Sequence, residues 1–239
     1  MKYLLSIDGG GIRGLIPLYF LLYLEQDLLK KTGKGILDTF DMYAGTSVGA
    51  IIVGSIVYTE YRTIQELIDN IYTVNNFKGI FTKYPNIFRT CMARPKYSGR
   101  FKSALLKKYL KNKRIVDTEK KVIIPVYSVL EQNTKFYKSY YVSDKESYNK
   151  NNSSLLLSDI IDASSAAPVY FPSVEYDSDH SGDEKEGFRR VKRVGIDGAV
   201  FSNNPSDCLY ADKTLPRRGY LYSIYRNRFE GENSFENRY

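Results

Sequence analysis

Apolar residues along this chain fall at two spacings, and the alternation between them predicts the fold. Short apolar runs read as strands at Lys2 to Ile7, Asp41 to Ala44, Val122 to Leu130, Phe136 to Val142, Arg193 to Ile196 and Gly219 to Tyr225. Between them lie segments with helical spacing. Leu15 to Lys31 carries Pro17 in its first turn, where the missing N–H costs nothing, and Gly33 as its C-terminal cap. Ala50 to Tyr58 reads as a buried helix, and Thr63-x-x-Glu66 is a capping box opening a helix to about Val74. Arg100 to Leu110 places Phe101, Ala104, Leu105 and Tyr109 on one face and lysines on the other. Ser158 caps a short helix over Asp159 to Ala166, and Pro205 opens another.

The remaining segments are connections. Phe77 to Ser98, broken by Pro85 and Pro95, reads as an irregular, mobile cover. Asp144 to Ser154 is a polar loop, Glu175 to Glu186 an acidic one, and residues 226–239 a polar C-terminal tail. Strands alternating with helices predict an α/β fold with a central, mainly parallel sheet, in a single domain over residues 2–225. No internal repeat is visible.

Composition narrows the class. At 239 residues the chain can bury a sizeable core. No apolar run reaches the roughly 20 residues needed to span a bilayer. The first apolar residues run into Asp8 and three glycines too soon for a signal peptide, so a first strand is the better reading. Cys91 and Cys208 are the only cysteines and lack metal-ligand spacing, which predicts a reducing, cytoplasmic setting and no structural metal. The net charge of +8 concentrates between Asn70 and Val116, where no acidic residue occurs. Aromatic residues interleave that basic stretch, which suits an anionic membrane surface, nucleic acid or simply a solvated face. No nucleic-acid motif accompanies it, so a membrane ranks above nucleic acid.

Gly45-Thr46-Ser47-Val48-Gly49 lies between a predicted strand and a predicted helix. Gly-x-Ser-x-Gly at such a junction is the nucleophile elbow, in which glycines permit a tight turn and the helix dipole faces a nascent oxyanion. The bland alternative is small residues packing at a turn. Asp8-Gly9-Gly10-Gly11-Ile12-Arg13-Gly14 forms a second strand–loop–helix junction, with backbone amides suited to a phosphate or an oxyanion. It formally fits GxGxxG, yet no acidic residue closes a second strand about 20 residues on, and no Lys-Ser/Thr makes it a Walker loop.

A serine nucleophile needs a base. His180, the single histidine, falls in the acidic loop, where nothing would fix its tautomer. Asp177-x-Asp179-x-Ser181-Gly182 imitates half of a calcium loop, but Phe188 stands where the bidentate glutamate belongs. Asp197 ends a predicted strand before Gly198, so it can meet Ser47 at a sheet edge as a two-residue dyad; Asp-Gly is also an ordinary turn.

Four motifs in order carry a resemblance. The glycine loop Asp8–Gly14, the elbow Gly45–Gly49, Ala163-Ser164-Ser165-Ala166-Ala167-Pro168-x-Tyr170-Phe171-Pro172, and Asp197-Gly198-Ala199 followed by Asn203-Asn204-Pro205 resemble the patatin-like phospholipase domain, from Lys2 to about Ala211. The resemblance implies a three-layer α/β/α fold with Ser47 as nucleophile, Asp197 as base, and an oxyanion hole from Gly9, Gly10, Gly11 and Ile12. Gly14, Gly45, Gly49, Gly198 and Ala199 fill the remaining motif positions. Arg13 takes the basic position, as a structural residue or a contact to substrate phosphate. No metal or other cofactor is implied. The expected substrate is a phospholipid or another acyl lipid, reached by peripheral contact with an anionic membrane. An alternative from another class is a lipid-surface binding module that keeps the scaffold without turnover, since the chain departs from the family pattern after Tyr225.

Overall fold

The structure is a computed structural model that describes residues 2–83, 95–140, 155–181, 188–211 and 219–224. Expectations for residues 84–94, for 144–154, for the C-terminal tail and for the His180 side chain lie outside the described residues. β1 (Lys2–Ile7), β2 (Met42–Gly45) and β3 (Lys121–Ser128) run parallel, and β7 (Gly219–Ile224) joins β1 in parallel on its far side. β4 (Asn133–Lys138), β5 (Val174–Ser181) and β6 (Phe188–Asp197) add antiparallel pairings, giving a seven-stranded sheet with its parallel strands at the heart.

Alternate strand residues face opposite ways and build two cores. Leu5, Ile7, Tyr43, Val122, Ile124 and Val126 belong to the large one. It is covered by α1 (Leu15–Thr32), α3 (Val48–Tyr58), α4 (Ile64–Asn70), α6 (Arg100–Leu110) and α7 (Leu157–Ser164), with α2 (Ile36–Thr39) beside α1. Leu4, Met42, Ala44 and Ile123 face the other way and pack on Leu209 of α9 (Ser206–Tyr210). The layers are therefore unequal: long helices on one face, and two short ones, α8 (Ala199–Ser202) and α9, on the other.

The local signals explain most boundaries. Gly33 caps α1 at φ 70, its N–H donating to the Leu29 carbonyl. The Thr63–Glu66 capping box is formed on both sides, but α4 stops at Asn70 and a separate helix, α5 (Val74–Ile80), follows with Thr73 as its cap. The predicted cover thus begins as helix. Three further expectations need correction. Residues 174–181 form β5 and pair residue by residue with an extended β6, so most of the predicted acidic loop is strand. α7 starts at Leu157 with Leu156 as its cap, and Ser158 is buried inside the helix. α6 turns Lys102, Leu106 and Leu110 inward, while Phe101 and Ala104 are exposed.

β3 explains how distant residues meet. Along one edge it pairs with β4 throughout Ile123 to Ser128. Its other edge is shared. β2 occupies the start, with Ala44 beside Ile123, and β6 arrives from the opposite direction, with Asp197 beside Val126. Two strands therefore run head-on and stop on either side of Ile124 and Pro125. What each carries at its end is brought together.

Candidate active site

Ser47 occupies the end of the β2 approach. Only Thr46 and Ser47 separate β2 from α3, and Ser47 takes φ 58, ψ −123 to make the turn. A non-glycine residue in so unfavourable a region costs about 1–3 kcal/mol and persists only where its surroundings force it. Here they do. A Cβ on Gly45 would stand 2.3 Å from the Gly49 carbonyl oxygen, and one on Gly49 2.1 Å from that of Ile7. Thr46 is tied on both sides, its N–H to Ile7 and its hydroxyl to the Ser202 carbonyl.

Asp197 occupies the end of the β6 approach. The Ser47 hydroxyl donates to its Oδ2 at 2.7 Å, and the Ala199 N–H donates to its Oδ1 at 2.8 Å. Both members are buried, Ser47 8% and Asp197 2% exposed. Burial pushes the Asp197 carboxyl above the ordinary aspartate range; the bonds from Ser47 and Ala199 and the charge of Lys102 oppose that rise. A carboxylate raised toward neutrality is a stronger proton acceptor than one in water. Gly198 lets the chain turn away at once: a Cβ there would stand 2.3 Å from the Pro125 carbonyl oxygen.

The loop after β1 completes the site. Gly9 lies against the elbow, and its N–H donates to the Asn203 carbonyl at 3.2 Å, so that amide is committed within the protein. The N–H groups of Gly10, Gly11 and Ile12 have no hydrogen-bond acceptor among the described residues. The same holds for Val48, the first residue of α3, whose amide follows the nucleophile position directly. Gly14 packs on Val48, where a Cβ would come within 2.3 Å of Cγ2.

A cavity of about 610 Å³ joins these parts, with Ser47, Asp197, Gly10 and Gly11 on its wall and Ile51, Tyr72, Phe77, Ile80 and Leu105 among its apolar lining. Arg13 lines it as well. Phe81, Tyr97 and Phe171 form an aromatic cluster on the same cavity, with Tyr97 5.2 Å from Phe81 and 5.4 Å from Phe171 between ring centres. Tyr97 is fixed there by its N–H to the Tyr170 carbonyl. The α5 residues and the 166–172 loop thus form walls of the cavity.

Two features escaped the sequence reading. Lys102, one of the lysines of the basic stretch, is 3% exposed and lines the cavity. Ser164 donates its hydroxyl proton to the Pro125 carbonyl and accepts the Ser47 N–H, linking the elbow to β3. Its place in Ala163-Ser164-Ser165-Ala166 was the available signal.

Comparison with known proteins agrees with this architecture. Residues 5–209 match the family model for patatin-like phospholipase. Patatin-like protein 1 of Oryza sativa subsp. indica is 35% identical over 211 residues, covering 85% of this chain and 49% of that protein. Patatin-like protein 3 of Arabidopsis thaliana is 29% identical over 230 residues, covering 88% of this chain and 51% of that one. Patatin-05 of Solanum tuberosum is 30% identical over 211 residues, covering 84% and 50%. The chain therefore spans about half the length of the curated relatives it matches. Among solved structures, VipD from Legionella pneumophila aligns over 95% of this chain and 51% of its own, with a TM-score of 0.41 and 12% identity. The match over nearly the whole described domain leads to one conclusion: the chain belongs to the patatin-like phospholipase family.

Proposed function

We propose that this chain hydrolyses acyl esters of lipids with a Ser47–Asp197 dyad, without routing any step through a metal. The observation that carries the reading is the 2.7 Å hydrogen bond between the Ser47 hydroxyl and the Asp197 carboxylate on the wall of an apolar cavity. Asp197 takes the hydroxyl proton as Oγ attacks the ester carbonyl. The resulting oxyanion is held by amides of Gly10, Gly11 and Ile12 and by the Val48 amide at the positive end of α3. The carbonyl–oxygen bond to the alcohol breaks, and the leaving oxygen takes the proton from Asp197. Water then gives a proton to Asp197, attacks acyl-Ser47 and releases the fatty acid, and Ser47 recovers its proton.

Access to lipid is assigned to the rim of the cavity. Ile12 and Tyr170 line the cavity and are 59% and 50% exposed; Val169, beside Tyr170, and Val200 and Phe201, which follow the cavity-lining Ala199, are more than half exposed. Large apolar side chains around a cavity mouth suit a lipid surface. Lys96, whose ammonium lies over the Tyr97 and Tyr170 rings, places a cation beside them for anionic headgroups. Among the described residues no helix is long and apolar enough to cross a membrane, which fits contact from one side.

The test is hydrolysis of p-nitrophenyl butyrate and of anionic phospholipid vesicles by wild type, Ser47→Ala and Asp197→Asn. The reading expects both variants to lose turnover on the order of 10³-fold or more, with cooperative melting retained. Undiminished turnover in Asp197→Asn would reject the dyad. Vesicle binding without any hydrolysis by wild type would favour a binding module instead.

A further inference from the structure

Lys102 lies in the most basic stretch of the chain, yet it behaves unlike its neighbours. Lys107 and Lys111 expose 64% and 67% of their side chains; Lys102 exposes 3%. Its ammonium donates to the carbonyls of Asp162 and Ser165, each at 2.9 Å, and to the Ser165 hydroxyl at 3.0 Å. The Asp162 carboxylate balances its charge at 2.9 Å and accepts a further bond from Ser103. The Phe171 ring closes over it at 4.7 Å. A cation is thereby fixed at the carbonyl end of α7, where the helix dipole favours it.

The turn that Lys102 holds also carries both halves of the dyad. Ser164 accepts the Ser47 N–H on its hydroxyl at 3.3 Å and the Gly198 N–H on its carbonyl at 3.3 Å. The Ala166 carbonyl accepts the Asp197 N–H at 3.1 Å. Residues 164–166 therefore register the nucleophile elbow against the end of β6, and the Lys102 ammonium fixes the same turn through the Asp162 and Ser165 carbonyls. We propose that Lys102 is a positioning residue: by capping α7 it sets the approach of Ser47 to Asp197 and supplies a fixed positive charge on the cavity that Asp197 also lines.

The electrostatic part agrees in direction with the groups present. Lys102 is one of the influences that lower the Asp197 pKa against burial; burial lowers the pKa of Lys102 itself, and Asp162 first and then Asp197 favour its charged form. Among the described residues, the other charged groups around the site include Asp162 on α7, Arg13 on the cavity wall and Asp8 directly after β1. Asp159, with Lys107 4.0 Å away, lies farther along α7.

Removing Lys102 alone would strand the buried Asp162 carboxylate and endanger the fold. The test therefore uses the charge-free pair Lys102→Met/Asp162→Asn in the full chain, with p-nitrophenyl butyrate as substrate. Because the proposal rests on the dyad reading, wild type is first treated with a fluorophosphonate; absence of a Ser47 adduct would contradict the nucleophile itself. With labelling established, the double variant is expected to melt cooperatively and keep its KM. Its kcat should fall about 10- to 100-fold from misplacement of the reacting groups. The acid limb of its kcat/KM profile should move to higher pH, because a cation that favours ionised Asp197 is gone. A folded double variant with wild-type kcat and an unmoved limb overturns the proposal. So does one whose kcat falls while the limb stays in place, the mark of a purely structural ion pair.

Discussion

Glycines crowd two segments of this site for opposite reasons. In the elbow, Gly45 and Gly49 are jammed against backbone, with less than 2.5 Å between an imagined Cβ and the nearest carbonyl oxygen. In the loop after β1, a Cβ on Gly10 would find nothing closer than 3.8 Å, and one on Gly11 nothing within 4 Å. The elbow uses glycine so that protein can approach protein. At Gly10 and Gly11 the loop uses it to leave space and unshared amides facing a cavity. Sequence motifs treat these glycines alike, but the physics assigns the first to folding and the second to the ligand.

Substitutions separate the two roles. Gly49→Ala should have the largest effect, because neither Ile7 nor Gly49 backbone can yield. A loss of more than about 4 kcal/mol in urea denaturation, or no folded protein, is expected. Gly10→Ala should melt within about 1 kcal/mol of wild type, since φ at Gly10 is −167 and the space is open. Its ester hydrolysis should nevertheless fall, by on the order of 10²-fold if the methyl group displaces the reacting carbonyl. Equal thermal damage in both variants would break the distinction. Gly11→Ala lies between them. At φ 57 it pays strain of about 1 kcal/mol without a clash, so a small drop in melting temperature should accompany any kinetic loss.

The gentlest probe is pH. Asp197 has its pKa raised on folding, so the stability linked to it is present below the unfolded value and is lost as pH rises through the folded one. Activity runs the other way, because only the ionised carboxylate accepts the Ser47 proton. The acid limb of kcat/KM should therefore lie above the ordinary aspartate range. Asp197→Asn should gain stability relative to wild type as pH rises across that limb, which paired melting curves would show.

Much of this was legible in the chain because local rules govern it. The elbow, the Gly33 cap, the Thr63–Glu66 box and the strand ending at Asp197 each follow from residues a few positions apart. Long-range packing was not legible. Nothing local says that β2 and β6 meet head-on along β3, or that Lys102 turns inward while Phe101 faces out. A lysine is costly to bury, and Asp162, Ser165 and Phe171, all far along the chain, offset that cost. Strand β5 was hidden for a related reason: its polar residues gain their strand character from the register with β6. Gly9, an oxyanion donor by the family resemblance, instead gives its amide to the Asn203 carbonyl, also distant in sequence.

Covalent labelling reads the chemistry of Ser47 without assuming a natural substrate. Wild type treated with a fluorophosphonate, then weighed intact and mapped by peptide, should carry one adduct on Ser47, absent in Ser47→Ala and strongly slowed in Asp197→Asn. An unmodified wild-type chain, an adduct on a different serine, or labelling of Asp197→Asn at the wild-type rate would contradict an activated hydroxyl at this elbow.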